Sequence, residues 1–251
     1  MSPKPNPLLV VSNLSKAYGG EQVLNEVSLS VEAGKTTAIL GQSGCGKTTL
    51  LKILAGLESL DGGEVMVNDK PITHVPPRKR GMVYLYQEAL LFPHLNVFDN
   101  IAFGLRLKKM PEGDVRQLVG QKIQSLGLEA HAHKMPDQLS GGQLGRVNFG
   151  RALIIKPKML LLDEPFGALD TSTRARMQKL FTSVAHAEGI STLFVTHDLK
   201  EALLMGDAFA HMQDGNITNY TSRDAFINAP ETGVSLERDF WQGLDQNHPR
   251  S

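Results

Sequence analysis

The sequence predicts an α/β protein built on a mostly parallel sheet, with a helical subdomain inserted into it. Three observations carry that prediction. The Gly-rich stretch Gly41-Gln42-Ser43-Gly44-Cys45-Gly46-Lys47-Thr48 stands between an apolar run of strand type, Thr37-Ala38-Ile39-Leu40, and an apolar-faced helical segment from Thr49 that stops near Gly56. Further runs, Met159-Leu160-Leu161-Leu162 and Ser191-Thr192-Leu193-Phe194-Val195, are apolar enough to be covered on both faces and alternate with helical segments. Between Glu88 and Ile155 the pattern changes to three helices, over about 96–107, 113–126 and 142–155, with glycines and prolines between them.

Composition narrows the class. The 251 residues are 41% hydrophobic and 21% charged, which describes a globular chain able to bury a core. Net charge is zero, without the basic excess of a nucleic-acid binder, and nucleic acid is not an expected partner. No apolar run reaches the ~18–20 residues of a membrane span, and no apolar stretch of signal-peptide type opens the chain. A cytoplasmic location is therefore expected. The single cysteine, Cys45, excludes an internal disulfide.

In chain order, residues 1–7 read as a disordered Pro-rich leader. Leu8–Val11 and Val23–Val31 read as strands around a turn at Tyr18-Gly19-Gly20, and Glu64–Val67 as a strand after the turn Asp61-Gly62-Gly63. Pro76 to Gly81 reads as a basic loop whose charges face solvent. Met82–Tyr86 reads as a strand ending at Gln87, Thr173–Glu188 as a helix, and residues from Asp224 as a less regular tail.

The Gly-rich loop has the spacing G-x-x-x-x-G-K-[S/T]. Its backbone N–H groups and the following helix N-terminus suit phosphate oxygens. Lys47 is expected to reach the β/γ-phosphates and the Thr48 hydroxyl to ligate Mg²⁺. Asp163, at the carboxyl end of an apolar strand, is the expected Mg²⁺ partner of Thr48, and Glu164 after it the general base toward water. His197 follows another apolar strand and is expected on the same sheet edge; a lone strand-end histidine is otherwise more often structural. Leu139-Ser140-Gly141-Gly142-Gln143 opens a helix and offers a second anion-binding geometry, which suggests a symmetric dimer in which each chain completes the other's site. Read alone, it is also an ordinary helix start with an N-cap serine.

With these residues in order, the chain over about 8–225 resembles the nucleotide-binding subunit of ATP-binding cassette (ABC) transporters. Gly41 to Thr48 looks like the Walker A loop, Ser140 to Gln143 lies in what looks like the signature loop, and Leu160 to Glu164 looks like Walker B. Asp170, in Gly167-Ala168-Leu169-Asp170, is similar to the D-loop aspartate, and His197 to the switch histidine. Gln87 matches the Q-loop glutamine, which in the family contacts Mg²⁺ and water and couples to the membrane partner. Tyr18 matches the aromatic that stacks on adenine. The resemblance implies a P-loop NTPase core with a small antiparallel β-subdomain and an inserted helical subdomain at 88–155. It implies ATP binding by Tyr18, Gly41 to Thr48 and Thr49, and catalysis by Glu164, His197, Gln87 and Lys47. It implies Mg²⁺ at Thr48, Gln87 and Asp163, and contact of Ser140, Gly141, Gly142 and Gln143 with a partner's ATP.

The partners implied are a second copy or a paired ABC subunit, transmembrane permease subunits and, through them, an external solute-binding protein. The chain would then sit peripherally on the inner face of the cell membrane. Phe92 to Leu105 looks like the segment after the Q-loop in bacterial importers of the iron, polyamine, sulfate and sugar group. Many members of that group carry a further C-terminal β-domain; here residues 226–251 read as a short tail with no large regulatory domain. An exporter subunit is the main alternative, since the motifs do not encode direction. A soluble ABC ATPase acting on DNA or ribosomes would carry a second cassette or a coiled-coil insertion, and a nucleotide sensor would lack Glu164, His197 or Gln87.

Two details depart from the simplest pattern. After the signature the chain runs Leu144-Gly145-Arg146-Val147-Asn148-Phe149-Gly150-Arg151, and each glycine costs about 1 kcal/mol against alanine in a helix interior. Either that helix is softened or close packing compensates. Cys45 stands at a variable position of the loop, where the plain reading is a small residue that fits; its place near Lys47 and a helix N-terminus would also lower its thiol pKa.

Overall fold

The computed structural model describes residues 7–167 and 169–234. Strand β1 (Pro7–Tyr18) pairs antiparallel with β2 (Glu21–Glu32). Strand β3 (Thr36–Gly41) then enters the main sheet, and α1 (Lys47–Ala55) follows the Gly-rich loop. Strands β4 (Gly62–Val67) and β5 (Lys70–Pro71) complete a four-stranded sheet of order β2-β1-β4-β5, all antiparallel. A short helix α2 (Pro77–Arg80) leads into β6 (Met82–Leu85).

The helical lobe consists of α3 (Val97–Leu107), α4 (Glu112–Ser125) and α5 (Gly141–Leu153). The chain returns through β7 (Met159–Asp163), α6 (Thr171–Ala187), β8 (Ser191–Thr196), α7 (Leu199–Met205), β9 (Ala208–Gln213) and β10 (Asn216–Tyr220), and α8 (Arg223–Asn228) follows.

The main sheet has the order β10-β9-β3-β8-β7-β6, and every pair in it is parallel except β10 with β9. Its apolar strands are explained by the layers on either side. Alternate residues point to opposite faces of a strand. Leu160, Leu162, Ala38, Leu40 and Phe194 join the core shared with the helical lobe and α6. Met159, Leu161, Ile39, Leu193 and Val195 join the core shared with α1 and the antiparallel sheet. Each fully buried Leu or Ile contributes roughly 1.5–3 kcal/mol, so strands with both faces covered read as unbroken apolar runs.

Several sequence expectations are corrected. Pro7 is not part of a disordered leader: it opens β1, in register with Glu32 of β2, and residues 1–6 lie outside the described residues. The boundary at 225/226 falls inside α8, where Phe226 is fully buried against Phe209 and Tyr220. The folded unit therefore continues at least to Val234, and the rest of the tail, 235–251, lies outside the described residues.

The basic loop at 76–81 is not merely a solvated surface. Arg80 is buried and donates to the carbonyls of Ile53, Leu54, Thr73 and Val75, which satisfies the last turn of α1. The expected helices at 96–107, 113–126 and 142–155 are present with small shifts in their ends. Gly150 packs where a Cβ would come 2.6 Å from Leu126 and 3.2 Å from Ile101, so close packing explains this glycine. Gly145 leaves room: an added Cβ would meet Met177 at 3.4 Å.

Candidate active site

Five elements converge at the carboxyl edge of the parallel sheet. The Gly-rich loop leaves β3 there, and α1 begins at Gly46, whose φ of 107° excludes ordinary side chains. A Cβ at that position would also strike the Val23 carbonyl at 2.8 Å. Helix α1 opens with no side-chain cap and no acidic residue in its first turn, so its leading N–H groups are left to a ligand or to water. Lys47 is buried, and its ammonium donates to the carbonyls of Gly41 and Gln42, both at 2.7 Å, which folds the side chain back over the loop.

The cleft in front of this loop, about 340 Å³, is lined by Val23, Ser43, Gly44, Gly46, Lys47, Thr48, Thr49, Gln87, Asp163 and Glu164. Thr48 Oγ1 donates to Asp163 Oδ1 at 3.0 Å. The other carboxylate oxygen, Oδ2, accepts from the Tyr84 hydroxyl at 2.6 Å. Glu164 turns the chain out of β7 with a left-handed φ of 46°. Such a conformation costs about 1–3 kcal/mol for a residue with a side chain and collects at functional sites. It brings Glu164 Oε2 to 2.9 Å from His197 Nδ1. These two residues leave adjacent parallel strands, β7 and β8, in which Asp163 pairs with Val195.

The structure thus gathers Ser43, Gly44, Gly46, Lys47, Thr48, Thr49, Gln87, Asp163 and Glu164 in one cleft, with His197 on Glu164. Gly41 ends β3, while Gln42 and Cys45 line an adjoining polar pocket with His211 and Glu231, which shares Val23, Ser43 and Gly44 with the cleft. Tyr18 lies at the end of β1, 44% exposed, with the Lys16 ammonium 5.0 Å above its ring, and is not among the residues lining the cleft. Gln87 is shared between this cleft and an apolar cavity of about 320 Å³ under the helical lobe, which includes Tyr86, Leu144, Phe149, Phe166 and Met177.

The signature stretch is built differently. Ser140 Oγ accepts from the Gln143 backbone at 3.4 Å, and Gln143 Oε1 accepts from the Ser140 backbone at 2.9 Å, a reciprocal capping box at the start of α5. Gln143 Nε2 also lies 2.8 Å from His131 Nε2. Asp170 caps α6, accepting from the backbone of Ser172 and Thr173. Hydrogen bonds from the Thr173 side chain and backbone, and from Ser172, hold its carboxyl well below the usual carboxylate range. Ala168 lies outside the described residues.

The thiol expectation is reversed. Burial pushes the Cys45 thiol up, and this outweighs the lowering by Lys47. The buried environment therefore favours the neutral thiol.

A Mg²⁺ ion suits the donor set. A hydroxyl and a carboxylate oxygen, Thr48 Oγ1 and Asp163 Oδ1, stand together with Gln87 at the edge of the phosphate-binding loop, and these are hard oxygen ligands. No cluster of three His, Cys, Asp or Glu side chains suited to a metal occurs among the described residues. One carboxylate and one hydroxyl fit an ion that takes its other oxygens from water and phosphate.

One residue in this network, Tyr84, escaped sequence reasoning. Tyr84 is paired with Leu161 in the β6–β7 register, two residues before Asp163 and so on the same face of the sheet. Only the strand pairing reveals this.

Residues 24–167, more than half of the chain, match the family model described as ABC transporter. The spermidine/putrescine import ATP-binding protein PotA of Salmonella typhimurium is 42% identical over 212 residues, covering 84% of this chain and 56% of that protein. The protein of the same name from Mycoplasma capricolum is 42% identical over 226 residues, covering 90% of this chain and 64% of its own length. The chain therefore spans less than two thirds of the length of these relatives. Among solved structures, cbiO1 from Clostridium perfringens, described as part of the ABC transporter complex cbiONQ, superposes with a TM-score of 0.83 at 27% identity, covering 98% of this chain and 97% of that one. The phosphate loop, the paired acidic residues at the end of β7 and the matched family model agree: the chain belongs to the ABC transporter family and carries its ATP-binding domain.

Proposed function

We propose that this chain is the ATP-binding and ATP-hydrolysing energy-coupling subunit of a membrane transporter, of bacterial importer type. The observation that carries the reading is the Glu164–His197 contact at 2.9 Å, set beside Lys47, Thr48 and Asp163 at one sheet edge. The names of the relatives, import ATP-binding proteins, support import over export. They name spermidine and putrescine for those proteins, while in this reading the solute is selected on the permease side.

In this reading Lys47 exchanges its loop carbonyls for β/γ-phosphate oxygens, and the uncapped first turn of α1 receives the phosphates with its N–H groups. Thr48, Asp163 and Gln87 would hold Mg²⁺, which would supply positive charge against the phosphate oxygens. Glu164 accepts a proton from the attacking water, and His197 fixes the orientation of its carboxylate. Tyr18 stacks on the adenine from the end of β1.

Ser140 to Gln143 faces the nucleotide of a second copy or a paired subunit, and Asp170 supports that junction. Gln87 lies between the cleft and the cavity under the helical lobe, which suits a residue that passes nucleotide state to a permease. A chain in such a complex is peripheral to the inner membrane face, and an external solute-binding protein would act through the permease. No helix among the described residues is long and apolar enough to cross a membrane.

The test is Glu164→Gln. It should retain ATP binding, reduce turnover by on the order of a hundredfold or more, as loss of a general base does, and trap an ATP-bound dimer. ATPase activity at the wild-type level would overturn the assignment of Glu164, and wild-type protein without ATPase activity in its assembled transporter would overturn the function.

A further inference from the structure

We propose that Tyr84 is a positioning residue for Asp163: its hydroxyl holds one carboxylate oxygen so that the other faces Thr48, and this sets how tightly the Mg²⁺ of Mg-ATP is bound. The inference rests on the Mg-ATP reading of the cleft.

The two oxygens of Asp163 are held by donors from two different elements. Oδ2 accepts from Tyr84 on β6 at 2.6 Å, and Oδ1 accepts from Thr48 on α1 at 3.0 Å. A carboxylate has about four lone-pair sites, so Oδ1 keeps capacity for a hard cation while Oδ2 is anchored. The anchor is itself fixed. Tyr84 pairs with Leu161 in the parallel register and packs against the core beneath α1. Its ring also meets Tyr86 edge-on, with centroids 4.6 Å apart.

A phenol has an ordinary pKa of about 10, so the hydroxyl is a donor near neutral pH. Groups that hydrogen-bond a metal-ligating carboxylate orient it and tune the ion's affinity, and their loss typically weakens metal binding by about 10–100-fold. The ordinary alternative is a half-buried tyrosine that has merely found an acceptor. It predicts a general loss of stability and no effect specific to the metal.

Tyr84→Phe keeps the ring and removes the donor. The purified full chain would be titrated with a fluorescent ATP analogue in EDTA, and then with Mg²⁺ at fixed nucleotide. Binding in EDTA should be unchanged, and the Mg²⁺ concentration for half-saturation should rise on the order of tenfold. In an Asp163→Asn background the same change should shift nothing further. Tyr84→Met, an apolar side chain without a donor, should show the same Mg²⁺ shift and serves if the Phe variant folds poorly.

An unchanged Mg²⁺ half-point, or an equal loss of binding in EDTA, overturns the inference. A wild-type chain whose nucleotide binding ignores Mg²⁺ overturns the Mg-ATP reading as well. A responsive wild type with an equally responsive Tyr84→Phe overturns the role of Tyr84 alone.

Discussion

Two helix N-termini in this chain carry glycines and face outward, yet they are finished in opposite ways. Helix α1 begins at Gly46 with no side-chain cap, and its buried lysine spends its ammonium on the carbonyls of its own loop. Helix α5 begins at Ser140 with both halves of a capping box closed, and Gln143 is further engaged by His131. The four leading N–H groups of any helix need partners. At α1 the fold leaves that need open beside Thr48 and Asp163. At α5 the chain has met part of it locally, and the Ser140 side chain remains exposed. The first is a site the chain completes by itself. The second is a stable helix start that gains a ligand only when something is brought to it.

Lys47→Ala breaks the open end most strongly. It removes the only ammonium among the residues lining the cleft, and two charge-assisted bonds to phosphate are worth about 3–6 kcal/mol together. ATP affinity in a direct binding titration should fall on the order of a hundredfold or more. Retention of affinity would show that the open terminus of α1 is not the phosphate site.

A smaller effect separates the two glycines of α5. Gly150→Ala places a methyl group 2.6 Å from Leu126 and should destabilise the fold by about 1–3 kcal/mol through overpacking. Gly145→Ala has room against Met177 and should be neutral or stabilise by up to about 1 kcal/mol. Denaturant unfolding of the two variants distinguishes them. Equal stabilisation by both would mean that α5 is a loosely packed helix, softened by its glycines.

What was legible in the sequence follows the same division between local and long-range causes. The strands β3, β7 and β8 were readable because both faces of each are covered, which leaves only apolar residues. The Gly-rich loop was readable because its chemistry is contiguous. Strands β9 and β10 and helix α7 were not singled out: β9 mixes His211 and Gln213 with apolar residues, and α7 is only seven residues long. Arg80 reads as surface charge because the α1 carbonyls its guanidinium donates to lie 26 and 27 positions earlier. Tyr84 looked like any aromatic strand residue because its acceptor lies 79 positions ahead. For the Cys45 thiol the sequence shows the neighbouring Lys47 but not the burial that outweighs it and reverses the sign of the shift.

Ser140→Ala tests the closed end, with the smallest expected effect. Loss of an N-cap serine costs about 1 kcal/mol, and half of the capping box, the bond from the Ser140 backbone to Gln143 Oε1, survives the change. ATP affinity of the isolated chain should therefore be unchanged within error, while stability in denaturant drops by about 1 kcal/mol. In a Glu164→Gln background the same change should weaken the ATP-dependent dimer, measured by sedimentation at fixed ATP. The hydroxyl lies on an exposed terminus and outside the set lining the chain's own cleft, so a decrease in dimer without a decrease in ATP affinity is the expected separation. Should ATP affinity of the monomer fall instead, Ser140 would belong to the site of its own chain, and the contrast between the two helix starts would collapse into one composite site.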